Sequence, residues 1–215
     1  MSDDSILYYP KDLTIPVVAR HWTYATGIYD TKMSAQLLRM FLAPSHPLHV
    51  AYVRRSPPPP PSILLARISL GAGPFDSSST ATQASALIST LASHLARLTD
   101  DELPMEFELF FSLMAASKEC DPDELIHALR TSPAFWKSAL AVLKRPQPPR
   151  AVPPPRGPPP AVAVIGTAVT VLYKAQTETP REREPFIRIW LDMGLFNALE
   201  NAVPTLIQYP GMTSG

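Results

Sequence analysis

Two blocks of proline constrain this chain more than any other feature. Pro57 to Pro61 is an unbroken run of five, and Arg145 to Pro160 reads RPQPPRAVPPPRGPPP. Proline has no amide donor, and its ring clashes with the preceding helical turn, so neither block fits inside a helix or a central strand. Both predict extended connectors. The chain therefore divides into an N-terminal helical segment over 1–56, a polyproline connector over 57–61, a central helical region over 62–144, a Pro-rich linker over 145–160 and C-terminal helices over 161–215. Of the 26 prolines, five lie in the first block and nine in the second. Many of the rest stand at helix starts, where a missing N–H costs nothing.

Outside the blocks, apolar residues recur at helical spacing. Pro16 opens a helix through Val17, Val18, His21, Trp22 and Tyr24, which Gly27 ends. Asp30 or Thr31 caps the next, with Leu37, Leu38, Phe41 and Leu42 on one face. Leu87, Ile88, Leu91, Leu95 and Leu98 make the clearest stripe, with His94 expected off it and exposed. Pro104 begins a helix carrying Phe107, Phe110, Phe111 and Met114 inward, apolar enough to be buried on more than one side. Asp121-Pro122-Asp123-Glu124 and Ser132-Pro133 are start signals. Three further segments are predicted over 160–176, 181–192 and 195–203, with Gly194 separating the last two and Pro204 and Pro210 ending the pattern.

Residues 48–55 and the apolar run Ala161 to Tyr173 suit either helix or strand, and helical neighbours favour helix for the run. Trp22, Trp136 and Trp190 each fall within an apolar stripe and read as core anchors. Short helices are marginal alone and must bury one another's faces. The fold class is all-α, either an irregular armadillo-like α-solenoid or a compact helical bundle, with Pro-rich connectors.

The chemistry is bounded by what the pattern leaves out. Nineteen basic and nineteen acidic residues balance to a formal charge of +0, without the basic face that phosphate neutralisation needs, so no nucleic-acid partner is expected. The run Ala161 to Tyr173 is shorter than the roughly twenty residues that span a bilayer, so no membrane role is expected. The N-terminus MSDDSILYYPKDL starts acidic, unlike a signal peptide. Cys120 is the sole cysteine, which rules out an internal disulfide or a Cys-based zinc site and suits an intracellular protein, cytoplasmic or nuclear. His46 and His49 are spaced as a helical metal pair, but Pro47 between them spoils a helix. Glu119 and Asp121 flank Cys120 and oppose a thiolate.

Asp100, Asp101, Glu102, Glu106 and Glu108 gather at a helix start, where they meet the dipole. Arg181-Glu182-Arg183-Glu184 reads as a solvated, mixed-charge first turn. Gly71-Ala72-Gly73-Pro74 lacks the lysine and helix of a phosphate loop, and no nucleophile elbow occurs. No catalytic residue, cofactor, metal site or small-molecule ligand is assigned, and a non-enzymatic role is expected. One sharper motif stands out. Arg54-x-x-Pro57-x-x-Pro60 and Arg55-x-x-Pro58-x-x-Pro61 have the basic-plus-PxxP spacing read by SH3 grooves, so Arg54, Arg55, Pro57, Pro58, Pro60 and Pro61 form a candidate peptide-ligand tract for SH3, WW or profilin-type domains.

The stretch Phe186 to Leu199 carries the pattern Trp-x-x-x-Gly-Leu-Phe-x-Ala-Leu in Trp190, Gly194, Leu195, Phe196, Ala198 and Leu199. It resembles a segment of basidiomycete fungal proteins in which an armadillo-like helical region precedes a MYND-type zinc finger. Pro204 and Pro210-Gly211-Met212 are similar to that family as well, so the match covers about thirty residues. The resemblance implies a helical scaffold for protein–protein interaction, with partners unknown. The chain departs from the family in having one cysteine where a finger needs a set of Cys and His ligands, so no zinc-binding role carries over. Two expectations stand: a chain that stops before the finger, or a finger-less paralogue.

Overall fold

The structure is a computed structural model, and it describes residues 14–42, 80–117, 122–145, 159–176 and 178–207. These residues form α1 (Thr14–Tyr24), α2 (Ile28–Leu42), α3 (Thr80–Arg97), α4 (Leu103–Ser117), α5 (Pro122–Arg130), α6 (Pro133–Leu143), α7 (Pro160–Ala175), α8 (Pro180–Asp192) and α9 (Leu195–Ile207). The fold is all-α, with no strand among the described residues. The run Ala161 to Tyr173, open to either state in sequence, is helix. Residues 48–55 lie outside the described residues.

The helix ends show why these residues fold locally as they do. Ser132 lies in extended backbone and its hydroxyl accepts from Phe135 N–H, with Pro133 in the first turn of α6. Pro160 likewise sits in the first turn of α7, after Pro159 at φ −52, ψ 143. Gly194 has φ +69, the left-handed turn between α8 and α9, and beyond its chain neighbours no described residue comes within 4 Å of where its Cβ would be. The backbone conformation, not crowding, selects glycine there. At Gly27 a Cβ would meet Asp30 Oδ2 at 2.8 Å, the end of an exposed side chain that can swing away.

Four local expectations need correction. α1 starts at Thr14, so Pro16 lies within the first turn, where its missing N–H has no intrahelical acceptor to lose. α2 starts at Ile28, so neither Asp30 nor Thr31 is its N-cap. Thr31 Oγ1 instead donates to the Gly27 carbonyl at 3.0 Å, and the Asp30 carboxylate occupies the first turn. α4 begins at Leu103, one residue before Pro104. α9 runs through Pro204 to Ile207, and α8 contains Pro185, so each helix tolerates one absent backbone bond in its interior.

Two compact units are formed, one from Met1–Thr90 with Met105–Ala128, the other from Leu91–Pro104 with Leu129–Gly215. In the first, α1 packs against α2, burying Ala19, Trp22, Ala35, Leu38, Phe41 and Leu42. In the second, α7 packs against α6 and α9, and α9 also meets α6 and α8. Ala161–Ile165, Ala168 and Val171 line the buried side of α7. Thr167 is buried among them because its hydroxyl donates to the Ala163 carbonyl at 2.8 Å.

Two burial expectations fail on α3 and α4. His94 is 1% exposed, not off the stripe. It lies two turns beyond Leu87 on the same side of α3 and joins the buried face. Phe111 is 37% exposed, although Pro104, two turns before it on the same side of α4, is buried.

Candidate functional site

The α1–α2 hairpin has two faces. Inward lie Thr31, Ser34, Ala35, Leu38, Phe41 and Leu42. Outward lie Tyr29, Met33 and Leu37, at 72%, 38% and 36% exposure, one turn apart along a single stripe of α2. Val17 and Tyr24 stand two turns apart on α1 and are also exposed. Leu37 was expected on the buried face beside Leu38. The helix rotation carries it to the edge of the outward stripe instead. This outward row stands on a helix whose other face is buried.

Polar contacts fix the hairpin within its unit. Trp22 is fully buried, and its indole N–H donates to both oxygens of Glu106, at 3.1 and 3.2 Å. Glu106 is 1% exposed in the first turn of α4. The sequence places it in an acidic cluster at a helix start, meeting the dipole; it does stand in that first turn, and its carboxylate is also a buried acceptor for α1. Its neighbour Glu108 pairs with Arg39 of α2. His21 Nδ1 and Ser34 Oγ lie 2.8 Å apart and join α1 to α2. That contact has the atoms of a nucleophile and a base. Ser34 sits in mid-helix, where the neighbouring backbone N–H groups are committed to helical carbonyls. The contact tethers α1 to α2.

The second unit holds the family-like motif in an aromatic core. Trp190 is fully buried, and its ring meets Trp136, Phe186 and Phe196 edge-on at centroid distances of 4.6, 5.6 and 5.5 Å. Phe135 abuts Trp136 at 5.2 Å, and Trp136 Nε1 donates to the Leu129 carbonyl at 2.9 Å. Leu195 is fully buried, Phe196 and Ala198 and Leu199 are half-buried, and Gly194 turns the chain between them. The Arg130 guanidinium lies 4.5 Å over the Phe186 ring and forms a two-pronged ion pair with Glu178. Arg145, the first residue of the second proline block, is no linker residue. Its guanidinium donates to the Leu98 and Leu95 carbonyls at 3.0 and 3.1 Å and to Asp100 at 2.8 Å, closing the C-terminal end of α3.

Thr179 and Glu182 make a capping box at the start of α8, a signal the reading of a mixed-charge first turn passes over. Thr179 N–H and Oγ1 each donate to Glu182 Oε2 at 2.8 Å. These bonds, the backbone one foremost, hold the Glu182 carboxyl below its ordinary value of 4.5.

The tract Arg54, Arg55, Pro57, Pro58, Pro60 and Pro61 lies outside the described residues, as do His46, His49, Gly71–Pro74, Glu119, Cys120 and Asp121. Among the described residues there is no group of three or more His, Cys, Asp or Glu placed to hold a metal ion, and no helix long and apolar enough to cross a membrane. No family model matches the chain, and comparison with curated proteins and with solved structures finds no match.

Proposed function

We propose that this chain is a non-catalytic helical scaffold for protein–protein interaction, and that α2 supplies a docking face. The observation that carries the reading is the outward stripe of Tyr29, Met33 and Leu37, set on a helix whose opposite face is already buried. Apolar side chains in contact spacing on a rigid helix are what a partner's apolar surface meets with little ordering cost. The Trp190 to Leu199 segment, which resembles the helical region preceding a MYND finger, agrees with a scaffold role.

The test is quantitative binding. Proteins recovered with the native chain are purified and titrated by calorimetry against it and against Met33→Glu/Leu37→Glu. Met33 and Leu37 are only 38% and 36% exposed, so the double substitution costs more than the roughly 0.5 kcal/mol of a fully exposed site, and thermal melting checks that the fold is kept. Binding should weaken about tenfold or more, equivalent to about 1.4 kcal/mol. Unchanged affinity with an intact fold overturns the assignment. A second reading rests on the PxxP spacing behind Arg54 and Arg55 and makes the proline tract the ligand. Loss of binding on deleting Pro57–Pro61, with Met33→Glu/Leu37→Glu silent, favours that reading.

A further inference from the structure

We draw no further inference here: the strongest candidate, the exposed apolar pair Val169 and Tyr173 on the outer side of α7, is an unpartnered helix face, and nothing in the structure shows what covers it.

Discussion

Two buried tryptophans in one aromatic core offer a controlled comparison. Trp136 and Trp190 are both fully buried, and their rings touch. Changing either to Phe deletes the same atoms and keeps a ring for edge contacts, so the transfer and cavity losses are similar. The indole nitrogens differ. Trp136 Nε1 donates to the Leu129 carbonyl at 2.9 Å, whereas Trp190 Nε1 is buried with no hydrogen-bond partner among the described residues. Trp136→Phe therefore forfeits a bond with a net value of about 0.5–1.5 kcal/mol, while Trp190→Phe removes an unsatisfied donor whose burial costs about 1–3 kcal/mol. The Leu129 carbonyl keeps a longer contact with Ser132 N–H at 3.4 Å, which softens the first loss.

Trp136→Phe should thus be the more destabilising by about 2–3 kcal/mol. For a chain of this size that separates the two melting temperatures by roughly 5–10 °C. Urea titration followed by circular dichroism measures the gap, provided the m-values agree. Equal stabilities, or a less stable Trp190→Phe, would refute the assignment of the two indole nitrogens.

Four other outcomes are expected. Glu106→Leu removes the carboxylate to which the Trp22 indole N–H donates and should cost about 1.5–3 kcal/mol in denaturant titration, with Glu106→Gln milder because it keeps an acceptor oxygen. Gly194→Ala meets no neighbour but forces a side chain into φ +69, so its thermal stability should fall by about 1–2 kcal/mol. Glu178→Ala leaves the largely buried Arg130 without its ion pair, and a loss of about 2–4 kcal/mol should be mostly restored in the double variant Arg130→Met/Glu178→Ala. The depressed Glu182 pKa means that its helix-start contribution is fully present above the ordinary carboxylate value and is lost as pH falls through the lowered one. Carboxyl NMR titration should place the Glu182 midpoint below 4.5, and Thr179→Ala should raise it.

Legibility in the sequence followed the range of the interactions. The starts of α6 and α7 and the break between α8 and α9 were readable because Pro133, Pro160 and Gly194 act on their own backbone. The stripe of α3 was readable because period alone defines it. His94 was misjudged because its place beside Leu87 depends on the exact angular edge of the buried arc. The tertiary bonds of Glu106 and Arg145 are illegible for another reason. Their partners stand 84 and 45 to 50 residues away along the chain, and no local pattern announces them. Pro204 misled because a proline late in a helix removes a single bond, which packing outweighs. The outward stripe of α2 was hidden in a helix whose apolar positions run nearly all round: which of them face solvent is settled only by what packs on the other side.

The central claim is most directly tested by a photo-cross-linking residue placed at Met33, with the same residue at the exposed Arg188 as reference, in cells that make the full chain. The account predicts that position 33 captures a distinct partner protein and that position 188 does not. Capture at neither position, or capture at 33 of only other copies of this chain, would contradict it.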